Sequence, residues 1–323
     1  MTDDVLFLSG EQVTRLLDVD AAIASQRAAF TALGSGTADL PAKIMHPSRF
    51  DDSVVFAYVS RLSADSGAVA KFGSVNPGNA AAGLPTIHAV VTVLDPETGR
   101  LAAVMDGTAV TTLRTAAASA VAVDALAGPD STDLAVLGSG TQALAHVRAI
   151  SRVRDLKSVR LWSPTPHHRT RAARTLTDLG FPVEAVGSAE EAVSGASLVA
   201  ACTLSSTPVV HGAWLAPGCT VVSVGSFEPT RREADAEVLR RAVRSGAVVV
   251  DDPVTAAEHA GPVVAALEAG EPIRLVALGD VLTGRATART GPGDIVYYNS
   301  VGLGIQDAAA AWAVVRAARE EHA

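Results

Sequence analysis

Over residues 21–33 the apolar side chains recur at helical spacing, behind Asp18-Val19-Asp20 and ahead of Gly34. This predicts a helix with an acidic start and a glycine stop. The period then changes. Residues 54–60, 68–73 and 86–94 are apolar runs broken by Gly and Pro turns, and they predict strands. Asp95-Pro96-Glu97-Thr98-Gly99 predicts a hairpin connection into a further strand over 100–105. Residues 112–127 are Ala-rich and helical as far as Gly128-Pro129. Beyond them strands alternate with helices: 134–137, 159–162, 183–186, 197–203, 220–224 and 247–251 for strands, 142–153 and 170–180 for helices. Such alternation predicts a doubly wound α/β fold, a parallel sheet with helices on both faces. A last Ala-rich helix over 304–320 follows a turn-like Asn299-Ser300-Val301-Gly302.

Composition bounds the function. A chain of 323 residues accommodates about two domains. With 48% hydrophobic and 19% charged residues it is globular and well buried. A net charge of -8 without any basic block excludes a nucleic-acid partner; Arg152-Val153-Arg154 and Arg231-Arg232 are the densest basic spots. Cys202 and Cys219 lack metal-type spacing and fall in apolar runs, so buried free thiols are expected. The eight histidines form no ligand set, so no metal is expected; His88 reads first as a satisfied core histidine, with a place behind the site as the alternative. Met1-Thr2-Asp3-Asp4 opens no signal-peptide pattern, and no apolar run of about 18 residues is visible. A cytoplasmic chain without membrane contact is expected.

The motif richest in chemistry is Gly138-Ser139-Gly140-Thr141-Gln142-Ala143, placed between an apolar strand and a helix. In a dinucleotide-binding turn the first glycine permits the bend and the second lets backbone approach the pyrophosphate. A small third residue, here Ala143, lets helix and strand pack closely. Amides of Thr141 and Gln142 then face the phosphates. About 20 residues further on, an acid normally receives the ribose hydroxyls. Here the strand ends Leu161-Trp162-Ser163-Pro164-Thr165-Pro166-His167-His168-Arg169, with no acid at its tip. Ser163, Thr165 and Arg169 suit a 2′-phosphate, which favours NADP(H) with NAD(H) still possible; an exposed basic loop is the alternative.

Three cations occur upstream in apolar settings: Lys71 within Ala68-Val69-Ala70-Lys71-Phe72-Gly73, Arg114 in an otherwise uncharged helix, and Lys43 between Pro41-Ala42 and Ile44-Met45. Such charges need a partner. The carboxylate of a small amino or imino acid is one. The alternatives are a Lys71 that snorkels at a strand edge and an Arg114 paired with Asp106.

Taken together, four stretches resemble the ornithine cyclodeaminase/mu-crystallin family: residues 71–79 with Gly83-Leu84-Pro85-Thr86, the run from Asp106-Gly107 through Arg114-Thr115-Ala116-Ala117, Gly138 to Ala143, and Ser300 to Asp307. The resemblance implies a Rossmann-type domain, residues 113–302, and an α+β substrate-binding and dimerisation domain, residues 1–112 with 303–323, that forms a homodimer. It implies that Lys71 and Arg114 hold the substrate carboxylate beside the reacting carbon and that Lys43 is a further cation. Thr86, Thr115 and Arg114 would lie along the cofactor, with Gly225 and Ser300 as further contacts. Where cyclodeaminases carry an Asp, Gly225-Ser226-Phe227-Glu228-Pro229 has Phe227, as in the family's cyclic imine reductases. Glu228, displaced by one residue, points elsewhere on an extended chain. The expectation is therefore an NAD(P)H-dependent reductase of a ketimine such as pyrroline-2-carboxylate. The alternatives are cyclodeamination of a diamino acid, alanine-dehydrogenase-like chemistry, and a non-catalytic mu-crystallin-like binding protein.

Overall fold

The computed structural model describes residues 5–321; Met1-Thr2-Asp3-Asp4 and His322-Ala323 lie outside them. The chain divides into two units. One runs to Arg114 and resumes at Leu303, and the other spans Thr115–Gly302.

The first unit holds a six-stranded sheet of β1 (Leu6–Leu8), β2 (Ile44–Pro47), β3 (Val54–Ser60), β4 (Val69–Val75), β5 (Ile87–Leu94) and β6 (Leu101–Asp106), in the order β1-β6-β5-β4-β3-β2. β1 runs parallel to β6, and the other pairs are antiparallel. Its helices are α1 (Gly10–Leu16), α2 (Val19–Ser35) and the C-terminal helix named below, which packs on β3, β4 and β5 and against α2. Asp18 caps α2 through the Ala21 amide at 2.8 Å. The helix ends later than Gly34, at Gly36, which takes the left-handed conformation (φ 69°) that closes a helix without a Cβ penalty.

Strand alternation sorts the two faces of this sheet. Val69, Lys71 and Val75 of β4 turn inward, while Phe72 turns outward and is exposed. Phe7, Ile44, Val55 and Val59 share that exposed outer face. His88 is also outward and exposed, opposite Ser74, which corrects its reading as a core histidine. β5 buries Val91 and Val93, so the positions between them face out.

The second unit begins within α3 (Gly107–Leu126), which starts directly at the end of β6 rather than at 112, because the Asp106 carboxylate accepts the Ala109 amide at 2.7 Å. Among the described residues α3 is long and apolar enough to cross a membrane by length and composition, which corrects the expectation of no such stretch. Arg114 and Asp124 are too few to break its Ala- and Val-rich run, and 67% of that window is buried, as in a core helix.

The sheet here has eight strands: β7 (Asp133–Leu137), β8 (Ser158–Trp162), β9 (Val183–Ala185), β10 (Leu198–Ala201), β11 (Thr220–Ser223), β12 (Ala247–Val250), β13 (Leu275–Ala277) and β14 (Val296–Asn299). Their order is β13-β12-β14-β11-β10-β7-β8-β9, and every pairing is parallel. Helices α4 (Thr141–Ile150), α5 (Pro166–Asp178), α6 (Ala189–Val193), α7 (Ala236–Ser245), α8 (Pro253–His259), α9 (Gly261–Glu268) and α10 (Leu278–Leu282) connect the strands. α11 (Gly304–Glu321) then returns to the first unit. This is the Rossmann-type doubly wound fold. The chain reverses direction across the sheet between β7 and β10, and crevices beyond the carboxyl ends of such strands are where ligands bind. β14 (Val-Tyr-Tyr-Asn) was no part of the sequence expectation, although it lies centrally between β11 and β12.

Candidate functional site

In the first unit, β4 carries Lys71 inward between β3 and β5, opposite Tyr58 and Val91. Its ammonium lies 2.7 Å from the Asp307 carboxylate and donates to Thr111 Oγ1 at 3.3 Å. It sits 4.7 Å from the Tyr58 ring centre and 5.8 Å from that of Phe56, within reach of both π faces. Arg114, on the first half of α3, donates through Nε to the other Asp307 oxygen at 3.2 Å. The three charged side chains are 2%, 7% and 1% exposed for Lys71, Arg114 and Asp307. Lys43, half-buried, holds its ammonium 5.9 Å from the same Tyr58 ring.

Neither of the plainer alternatives describes this cluster. Lys71 lies on an interior strand and is buried, and Arg114 pairs with Asp307 while Asp106 caps α3. Burial pushes the Lys71 ammonium down to about 8; Asp307 opposes that drop, while Arg114 and Lys43 add to it. Asp307 was not among the expected site residues, although it closes the Ser300-to-Asp307 stretch.

In the second unit the glycine turn follows β7. Gly138 has φ 126°, donates to Trp162 O at 2.8 Å, and a Cβ there would lie 2.5 Å from the Cys202 carbonyl oxygen. Gly140 differs. Its φ of -88° suits any residue, and a Cβ would meet nothing within 4 Å. It is the N-cap of α4 and makes no side-chain cap bond, so the amides of Thr141, Gln142 and Ala143 face outward from the helix start. Behind the turn, His146 is the satisfied core histidine, bonded to Gln142 O at 2.7 Å and Ser119 Oγ at 2.9 Å. Burial pushes its pKa down to about 4.

At the end of β8, Ser163 is buried, and its hydroxyl has no partner among the described residues. Arg169 donates to the Ser163 carbonyl at 3.1 Å, and Thr165 is the N-cap of α5 without a side-chain cap bond. The three expected 2′-phosphate residues thus stand together at one strand end. Thr86 precedes β5, where its carbonyl accepts the Asn76 amide at 2.6 Å, and Thr115 is buried in α3.

The loops after β10 and β11 are tied by a carboxylate that sequence reasoning missed. Buried Glu233 accepts from the Thr203 amide (2.6 Å), Thr203 Oγ1 (2.8 Å), Ser223 Oγ (2.7 Å) and the Gly225 amide (2.7 Å). Burial outweighs these donors and pushes its pKa up to about 7. Gly225 owes its lack of a side chain to this packing, since a Cβ would fall 1.6 Å from Thr203 O. Ser300 is likewise engaged within the chain, donating to Asp251 at 2.9 Å. Glu228 is held by Arg231 at 3.0 Å, and the Arg231 guanidinium lies 5.2 Å from the Phe227 ring. Cys202 and Cys219 are free thiols whose pKa values burial pushes up. No group of three or more metal-type side chains is gathered among the described residues.

The sequence profile of the ornithine cyclodeaminase/mu-crystallin family matches residues 3–322. The chain belongs to that family. An alanine dehydrogenase of Archaeoglobus fulgidus is 32% identical over 312 residues, 95% of this chain and 93% of that protein. The ketimine reductase mu-crystallin of Mus musculus is 32% identical over 249 residues, 77% and 75% of the two chains. Among solved structures, the Delta(1)-pyrroline-2-carboxylate reductase of Thermococcus litoralis in complex with NADH and L-proline is 29% identical. It superposes with a TM-score of 0.93 over 98% of each chain. Residues of this family member fit a nicotinamide dinucleotide on their own terms. The space at Gly140, the uncapped first turn of α4 and the unpartnered Ser163 hydroxyl have no explanation in internal packing.

Proposed function

We propose that the protein is an NADP(H)-linked reductase of a cyclic imine bearing a carboxylate, such as pyrroline-2-carboxylate, which it converts to the amino acid. The observation that carries this reading is the buried Lys71–Arg114 pair around a single carboxylate. Two buried cations share one anion, Asp307, and a charge surplus in apolar surroundings is costly until an anion completes it. Arg114 uses Nε on Asp307, and its terminal nitrogens form the fork that grips a substrate carboxylate in two places. Gly138, Gly140 and the amides of Thr141, Gln142 and Ala143 cradle the pyrophosphate; Ser163, Thr165 and Arg169 take the 2′-phosphate. Thr115, Gly225 and Ser300 line the remainder of the cofactor site in the second unit. Bound nicotinamide supplies the hydride for the C=N carbon. Holding the imine by its carboxylate fixes its orientation, an effect worth roughly 7–11 kcal/mol in well-aligned systems. Lys71, charged below about pH 8, hands a proton to the nascent amine.

A protonated imine needs no strong base, in keeping with Phe227 in the place of an acid and with Glu228 held by Arg231. The apolar outer face of the six-stranded sheet, with Phe7, Ile44 and Phe72 exposed, supports a homodimer through that face. The test is a panel of cyclic imines, ornithine, lysine and pyruvate plus ammonia, read by NADPH absorbance and ammonia release. NADPH consumption with a cyclic imine is expected, with higher kcat/KM than for NADH and a loss of that preference in Arg169→Ala. Ammonia from ornithine without net change in absorbance would instead make it a cyclodeaminase. Turnover of only pyruvate plus ammonia would mark an alanine dehydrogenase, and cofactor binding without any turnover a mu-crystallin-like binding protein.

A further inference from the structure

Asp307 belongs to the first turn of α11, yet its contacts are on β4 and α3. We propose that Asp307 is the positioning residue of the substrate site: one oxygen on the Lys71 ammonium and the other on Arg114 Nε fix where both cations point. The role in turnover rests on the reductase reading; the role in setting Lys71 does not.

Three observations support it. The carboxylate is held rather than floating. Gln26 Nε2 donates to the Gln306 carbonyl at 3.0 Å, pinning the first turn of α11 to α2, and Trp312 Nε1 donates to Gly67 O at 3.0 Å, pinning the same helix beside β4. The helix start favours a negative side chain at this position. The bond to Nε also constrains the guanidinium plane, so the direction of its terminal fork follows from where Asp307 sits. Around Lys71 the charged and titratable groups are Asp307 from α11, Arg114 from α3, Lys43 ahead of β2 and Tyr58 from β3. Asp307 is the sole anion of the four.

This arrangement separates positioning from simple charge. Removing Asp307 makes the site more positive, so anion affinity holds or improves, while the orientation of both cations is lost. Asp307→Asn is therefore expected to lower kcat for the imine at least tenfold with KM unchanged or reduced. The second readout is independent of activity. The chain contains three lysines, Lys43, Lys71 and Lys157. Lysine labelled with 13C at Cε therefore gives three signals in the full-length protein, and Lys71→Arg assigns one. In the unsubstituted protein the Lys71 signal is expected to titrate at about 8. In Asp307→Asn it moves down by about 1–3 in pH, the effect of losing an adjacent opposite charge.

Asp307→Glu keeps the charge on an arm one methylene longer. Its Lys71 titration stays near that of the unsubstituted protein while kcat falls, and this variant carries the test if the Asn variant does not fold. An unmoved Lys71 titration in Asp307→Asn, or full kcat in Asp307→Glu, overturns the proposal. Absence of imine reduction in the unsubstituted protein, with Lys71 still responding to Asp307, removes the reductase reading and leaves the positioning of Lys71 intact.

Discussion

Gly138 and Gly140 lie two residues apart in one turn, yet the structure gives them different reasons to be glycine, and substituting each with alanine separates folding from binding. At Gly138 a Cβ would stand 2.5 Å from the Cys202 carbonyl oxygen, on a backbone at φ 126°. Both the backbone of β10's exit and the strained conformation oppose it. A residue forced into so sparsely populated a region costs of order 1–3 kcal/mol. For a unit of this size that is about 2–12 °C in the thermal midpoint. At Gly140 the φ is ordinary and the space is open. The Ala variant therefore keeps its midpoint, or gains slightly through a stiffer unfolded chain, by about 0.4–1 kcal/mol. Its methyl group instead occupies the approach to the α4 amides. Losing one charge-assisted bond to a phosphate costs about 1.5–3 kcal/mol, a roughly 10–150-fold rise in Kd. Thermal unfolding without cofactor and fluorescence titration with NADPH read the two effects independently. A Gly140→Ala protein that binds NADPH as tightly as the unsubstituted chain would refute the assignment of this turn as a phosphate cradle. An unchanged midpoint in Gly138→Ala would refute the steric argument.

Arg114→Lys keeps the charge but loses the fork and the Nε bond to Asp307, so kcat/KM for the imine should fall about 10–150-fold. Lys71 loses its proton at about 8 in the folded chain against 10.5 for an ordinary lysine, so the unfolded chain binds more protons between those values. Stability consequently rises with pH across that window by about 3 kcal/mol at most, the burial penalty being present in full below it. Urea denaturation at pH 7 and pH 10 measures the rise, and Lys71→Met should flatten it. Imine reduction should decline above about pH 8 as Lys71 becomes neutral. On the homodimer proposed through the outer sheet face, the unsubstituted chain is expected to give dimers by light scattering and Phe72→Glu, in the middle of that exposed apolar face, monomers.

What was legible in the sequence was what a few neighbouring residues decide. The strand 54–60 and the β7–Gly138–α4 turn are set by side-chain alternation and by a six-residue motif, and both stand where the pattern puts them. One error was local: the helix read over 112–127 begins at the strand end, where Asp106 caps it through the Ala109 amide. The others arose where a distant partner decides. Val296-Tyr297-Tyr298-Asn299 is too short to declare itself, and its central place comes from pairing with β11 and β12, whose residues lie far away in sequence. Asp307 is the sharpest case, 193 residues from the arginine it holds.

A compositional signal did point toward the site. Of 26 basic residues only three are lysines, and two of those, Lys43 and Lys71, face the Tyr58 ring in the candidate substrate site. A chain that otherwise uses arginine for its cations has no electrostatic need for lysine in a buried spot. Arginine stays charged under all conditions a protein meets, whereas a buried ammonium can give up its proton near neutrality. Retaining lysine at position 71, beside an arginine and a carboxylate, is intelligible if the position must both carry charge and release a proton. The Lys71→Arg variant introduced above as an assignment control therefore doubles as a functional probe: with charge preserved and proton release removed, substrate binding should persist while kcat falls.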